Sequence, residues 1–198
     1  MIVVGLTGSI GSGKSFIINF FKSKQIPIYC ADNEVKKILD KDVYTKRKII
    51  KIFPSACVNK KIDKNKLSSI VFNDKKKLKK LESIIHPKVG KTKKNFLFLH
   101  KKKKSPIVVL EIPILFETKG HKNCNYTILV TVTKKEQLKR IMKRKNMNRE
   151  KLNMIMKNQM PEKRKKKLAD FVINNSFSKK KTLKKASSIL NKILSTDL

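Results

Sequence analysis

A β-branched run, Ile2–Leu6, leads directly into Gly8-Ser9-Ile10-Gly11-Ser12-Gly13-Lys14-Ser15. Few architectures accommodate that order. The spacing G-x-x-x-x-G-K-[ST] calls for a strand, a tight glycine loop and then a helix, here the amphipathic stretch Lys14–Lys24. The glycines let the main chain approach an anion with no Cβ in the way. The loop amides then converge on phosphate oxygens, aided by the helix N-terminus. In such a loop Lys14 places its charge on the β- and γ-phosphates and the Ser15 hydroxyl ligates Mg²⁺. The motif therefore predicts a nucleoside triphosphate and leaves open what is done with it.

The rest of the chain keeps the rhythm this start implies. Short apolar runs at Ile26–Cys30, Ile107–Glu111, Tyr126–Val132 and Phe171–Asn174 read as strands covered on both faces. Helical patterns fall at Asn33–Leu39, from about Lys134 to Lys145 and from about Lys180 to Leu194. Alternation of this kind predicts an α/β fold, a P-loop NTPase-type parallel five-stranded sheet flanked by helices. Two stretches depart from it. From about Lys46 to Lys101 there is helical periodicity and no convincing strand. Leu67, Ile70 and Val71, then Leu78, Leu81, Ile84 and Ile85, recur at three-to-four spacing. From about Asn146 to Lys167 a basic helical hairpin is expected. The expected layout is a core of about 1–45, 105–135 and 168–198, a helical insertion of about 46–104 and a helical lid of about 136–167.

Composition bears on partners. The formal charge is +36 over 198 residues. A nucleic-acid footprint is one reading of it, because Lys and Arg release phosphate counterions. The lysines, however, are spread along the chain together with much Asn and Ile, as an AT-rich genome's codons would give. No nucleic-acid motif accompanies them. The charge is read as background that would also welcome a polyanionic small substrate. Lys101–Lys104 and Lys163–Lys167 read as solvated faces. No apolar run is long enough to span a membrane, and no basic n-region precedes the first strand. Cys30, Cys57 and Cys124 lie far apart, as free thiols in a reducing cytoplasm do.

Candidate chemistry sits where strands end, since ligands of parallel sheets bind beyond the carboxyl ends. Asp32 follows the second strand. It suits a carboxylate that accepts a hydroxyl proton, and equally an N-cap of the next helix. Glu111 ends the third strand, either as an acid of the Mg²⁺ shell or as a residue facing solvent. Arg140 and Arg144, four apart, would share a helix face, with Arg149 in the hairpin. Lid arginines grip phosphate bidentately where lysine cannot.

With these landmarks the chain resembles the dephospho-CoA kinase family from Val4 to about Asn191. The resemblance rests on an ordered series: Gly5 to Ser15, Ala31-Asp32, Leu81 to His86-Pro87, Ile112-Pro113-Ile114-Leu115-Phe116-Glu117, Gln137 to Arg140, Gln159-Met160-Pro161 and Ala169 to Asn175. It implies a nucleotide-binding core, a helical CoA domain and a lid. It also implies transfer from ATP to the ribose 3′-hydroxyl of dephospho-CoA, with Mg²⁺. Asp32 matches the acid acting on that hydroxyl, assisted by Lys14 and Arg140. The nucleotide set is Gly8, Gly11, Ser12, Gly13, Lys14, Ser15, Phe16, Arg140, Asn174 and Asn175. Asp32, His86, Pro113 and Arg149 fall on the substrate side, although His86 equally suits a buried structural histidine. Two departures stand out: Cys30 replaces the first acid of Asp-Ala-Asp, and Glu111 replaces an Asp. The partner expected is the small molecule, with no membrane and no specific nucleic acid, for a monomer or weak homo-oligomer. The rival readings are another small-molecule P-loop kinase and a basic ATP-binding, nucleic-acid-associated protein.

Overall fold

The computed structural model describes residues 1–58, 61–72, 74–144 and 147–196. The expected helix end at Lys145 and hairpin start at Asn146 lie outside the described residues. The chain divides into two compact units, Met1–Tyr29 with His100–Leu198, and Cys30–Leu99.

The elements run in order as β1 (Ile2–Thr7), α1 (Lys14–Ser23), β2 (Ile28–Cys30), α2 (Ala31–Lys41) and α3 (Val43–Ile52). Next come β3 (Cys57–Val58), β4 (Lys61–Ile62), α4 (Lys64–Phe72) and α5 (Lys75–Lys102). The order closes with β5 (Ile107–Glu111), β6 (Tyr126–Thr131), α6 (Lys134–Met142), α7 (Arg149–Lys157), α8 (Glu162–Leu168), β7 (Phe171–Asn174) and α9 (Lys179–Thr196).

The first unit is built on a five-stranded parallel sheet ordered β2-β5-β1-β6-β7. β1 sits at its centre, with Val4 opposite Val109 on one side and Tyr126 on the other. All five residues of β5 are buried, which is why its sequence is a continuous apolar run rather than an alternation. Helices α1 and α9 cover the sheet through Ile17, Phe21, Ile189 and Ile193, packed with Val4, Leu6, Val130 and Ile173 in one core. The register places Leu6 beside Glu111 and Thr131 beside Asn174, so these strand ends lie along one edge of the sheet.

The second unit is helical, with a core of its own formed by Ile49, Phe53, Leu67, Val71, Leu81 and Ile85. The three-to-four spacing read in the sequence is the buried stripe of α4 and α5. The unit begins at Cys30, earlier than the expected 46, because Val35 and Leu39 of α2 pack against this core. A two-stranded ribbon, β3 antiparallel to β4, interrupts the helices where no strand was expected. Its strands are too short to leave a period in the sequence. Among the described residues, no helix is long and apolar enough to cross a membrane.

Candidate active site

The glycine loop between β1 and α1 is shaped by where its carbonyls go. Lys14 Nζ donates to Gly8 O at 2.8 Å. Gln137 Nε2, from α6, donates to Ile10 O at 2.7 Å. Asn175 Nδ2, just past β7, donates to Ser12 O at 2.9 Å. Arg140 reaches Ser12 O at 3.4 Å and Asn175 O at 2.8 Å. Side chains from distant elements thus hold the carbonyls of the loop, and the main chain is fixed in one conformation before any ligand arrives. A preformed cradle of amides is what an incoming phosphate chain requires.

Two glycines are obligatory for that conformation. Gly11 and Gly13 have φ of 77° and 86°, in the left-handed region. A Cβ on Gly11 would lie 2.8 Å from Ile141 Cγ1, and one on Gly13 would overlap Asn175 Nδ2. Gly8 is excluded from substitution by space, since a Cβ there would strike the Val130 carbonyl. Ser15 is exposed on the first turn of α1, whereas Ser12 is buried. Phe16 packs against the main core.

Around this loop the structure gathers most of the expected residues of the first unit. Glu111 is buried, 7% exposed, at the end of β5, so the solvent-facing alternative for it is corrected. The Pro113 carbonyl accepts from Thr7 Oγ1 at 3.0 Å, tying the segment after β5 to the last residue of β1. Asn174 is exposed and its Oδ1 accepts from Ser176 N. Its neighbour Asn175 is buried and serves as the brace already described. Arg140 lies over Gly13. Arg144 does not share its helix face: α6 ends at Met142, and Arg144 falls in the turn beyond. Arg149 opens α7 and is exposed.

A cavity of about 580 Å³ lies against the loop. Ser9, Thr131, Gln137 and Asn174 form one wall, and Gln159, Pro161, Lys163 and Lys166 of the α7–α8 segment form another. The expected basic hairpin is present as α7 and α8. One of its lysines departs from expectation: Lys165, inside a run read as a solvated face, is fully buried. Its Nζ lies 2.8 Å from Glu117 Oε1, and this pairing is what permits the burial.

Gln137, quoted above only as part of a motif, braces the loop in a way that sequence reasoning did not assign to it. A polar side chain three before Arg140 and four before the buried Ile141 lies on the inward face of α6. That placement was the available signal, because a polar group on a buried face must have a partner.

The second unit carries Asp32 and His86. Asp32 is not an N-cap. Helix α2 begins at Ala31 with Cys30 in the cap position, and Asp32 is exposed within the first turn. Its side chain takes part in no hydrogen bond or ion pair among the described residues. Asp32 lies on the rim of a groove of about 430 Å³, whose floor includes Val35, Leu39, Leu67, Leu81 and Ile85. Lys36 and Lys64 also line it. His86 is exposed on α5, so the buried structural alternative for it is corrected.

A parallel sheet in this order, with a braced glycine loop after its central strand and a basic helical segment facing that loop, defines a P-loop kinase. The dephospho-CoA kinase family model matches residues 2–181. The chain belongs to the dephospho-CoA kinase family. It is 38% identical over 198 residues to a dephospho-CoA kinase of Bartonella quintana, covering 98% of this chain and 99% of that one. Among solved structures, a dephospho-CoA kinase from Campylobacter jejuni superposes with a TM-score of 0.70 at 30% identity, covering 99% of this chain and 98% of that one. A Thermus thermophilus protein superposes with a TM-score of 0.82 at 31% identity, covering 96% of this chain and 97% of that one.

Proposed function

We propose that the chain transfers the γ-phosphoryl group of ATP to the ribose 3′-hydroxyl of dephospho-CoA, giving ADP and CoA. Asp32 is the observation that carries this reading. The chain has 14 Asp and Glu against 50 Lys and Arg, and most of its acids are engaged in caps or ion pairs. The Asp32 carboxylate is exposed, without a partner among the described residues, at an apolar groove. A free carboxylate there suits a substrate with a hydroxyl to deprotonate, an apolar arm to lay along the floor and phosphates for Lys36 and Lys64.

In the proposed step the Asp32 carboxylate accepts the 3′-hydroxyl proton as that oxygen attacks the γ-phosphorus. The bond to the β-bridging oxygen breaks, and ADP remains on the loop amides and Lys14. Arg140, whose guanidinium lies by Gly13 and donates to Ser12 O and Asn175 O, is assigned the contact with the nucleotide. Ser15 and Glu111 supply oxygen ligands of the kind Mg²⁺ accepts, one or two protein oxygens beside water and phosphate. Bound there, the ion would neutralise charge on the β- and γ-oxygens. Cys30, Cys57 and Cys124 form no disulfide among the described residues, which suits a reducing cytoplasm. No nucleic acid enters the scheme.

A coupled assay of ADP release, with dephospho-CoA set against a panel of nucleosides and nucleotides, tests the reading. Dephospho-CoA is expected to give the highest kcat/KM. A nucleoside preferred over it would transfer the activity to the rival class of P-loop kinase.

A further inference from the structure

The buried pair Glu117–Lys165 has no part in the scheme above, yet it joins the segment after β5 to the α7–α8 segment that walls the cavity beside the glycine loop. Lys165 is 0% exposed, in a chain whose other lysines are almost all in contact with solvent. Its Nζ meets Glu117 Oε1 at 2.8 Å, and the same oxygen accepts the Met160 amide at 2.8 Å. The ammonium lies off the hydrogen-bonding direction and Glu117 Oε2 has no hydrogen-bond partner among the described residues, so the lysine is held by charge while the amide supplies the directed contact.

Each end of the pair is anchored. Glu117 sits on a turn whose neighbours Leu115 and Phe116 are buried, closed by Thr118 N and Gly120 N donating to Ile114 O and Leu115 O. The same segment reaches the base of the glycine loop through Pro113 O and Thr7 Oγ1. Lys165 belongs to α8, where its amide donates to Pro161 O and its carbonyl accepts from Ala169. The residues between, Gln159 to Lys163, form the cavity wall opposite Ser9.

A buried ion pair rarely stabilises a fold more than apolar residues of the same volume would. What it adds is a fixed distance between the groups it joins. We infer that Glu117 and Lys165 are positioning residues for phosphoryl transfer: their contact sets the α7–α8 wall, with Lys163 and Lys166, at the spacing from the glycine loop that the reaction needs. The inference rests on the phosphotransfer reading and deepens it.

The test uses the full chain in five forms: wild type, Lys165→Arg, Lys165→Met, Glu117→Gln, and Glu117→Leu combined with Lys165→Met. For each, kcat and KM for ATP are measured with dephospho-CoA, together with the melting temperature. Amide exchange over 159–168 is followed with and without ATP. The double variant removes both charges, so it is expected to melt near wild type and to keep KM for ATP within about twofold. Its kcat should fall roughly tenfold to a hundredfold, the effect of a wall displaced by about an ångström. Exchange over 159–168 should rise, and Lys165→Arg should restore most of kcat. Should the double variant fail to fold, Glu117→Gln decides. It keeps an acceptor for the Met160 amide but leaves the buried ammonium uncompensated, so its melting temperature should fall; assayed well below that temperature, the same loss of kcat with KM for ATP unchanged is expected. Wild-type kcat in these variants overturns the inference, as does a parallel fall of kcat, ATP affinity and melting temperature. If wild type makes no CoA, the functional reading fails by itself. The exchange measurement then still decides the pair's role, because unchanged protection over 159–168 would sink it.

Discussion

In the sheet unit, Gln137 and Asn175 cross 127 and 163 positions of sequence to hold carbonyls of the glycine loop. In the helical unit, Asp42, Asp63 and Asp74 turn back on amides two or three residues away, each at the start of its own helix. The difference is one of reach. Long-range side chains fix a loop whose shape is its chemistry, so losing one should weaken binding. Local caps fix single helix ends, so losing one should lower stability and leave nucleotide binding alone. Asp32 belongs to neither group, which is why its removal should show in neither ATP binding nor stability.

That expectation gives the largest predicted effect. Asp32→Asn keeps the shape of the side chain and removes its basicity. Turnover of dephospho-CoA should fall by about 10²–10⁴, the usual contribution of a positioned general base. ATP affinity, read by nucleotide titration, and the melting temperature should stay close to wild type. Near-normal turnover would remove Asp32 from catalysis and leave it an ordinary acid in the first turn of a helix.

A smaller effect is expected at the brace. Gln137→Ala leaves the Ile10 carbonyl without its donor, and the loop beside Gly11 loses a support. The cost of one unmade hydrogen bond at a partly buried group is about 1–3 kcal/mol. If about half of it appears in nucleotide binding, KM for ATP should rise roughly twofold to tenfold. The rise should come with little change in KM for dephospho-CoA. Equal losses for both substrates would show that Gln137 supports the whole unit rather than the loop.

The same contrast of reach explains what could be read in the chain beforehand. Strand β5 matches its sequence run end to end, since burial on both faces leaves an unbroken apolar string, and β7 matches its run too although only Ile173 of it is buried. The core stripe of α4 and α5 is legible for the same reason. The glycine loop is legible because its backbone demands particular residues at particular spacings. Helix α5, by contrast, runs through Pro87 for 28 residues, where a proline normally marks a boundary. The burial of Lys165 is set by Glu117, far away in sequence, and nothing within the run Lys163–Lys167 distinguishes it. Gln137 and Asn175 were visible as residues, but their partners are main-chain carbonyls, which carry no sequence signal. Arg144 was misplaced because α6 stops one turn earlier than its charge pattern suggests.

The mildest prediction isolates the helical unit. Asp42 Oδ1 accepts from Thr45 N at 2.7 Å, and Oδ2 pairs with Lys88 Nζ at 3.0 Å, joining the start of α3 to α5. The Thr45 side chain and amide, then Lys88, hold its carboxyl down from 3.8 to about 2. The unfolded chain binds that proton more readily than the folded one. The contribution of Asp42 is therefore complete above about pH 4 and is lost as pH falls through about 2. Asp42→Ala should cost about 1 kcal/mol at neutral pH, the usual value of an N-cap. In chemical denaturation followed by helical circular dichroism, the gap between variant and wild type should close progressively between about pH 4 and pH 2. ATP affinity should not change at neutral pH. A loss of ATP affinity in this variant would break the division between long-range braces and local caps, because a residue of the helical unit would then be supporting the nucleotide loop.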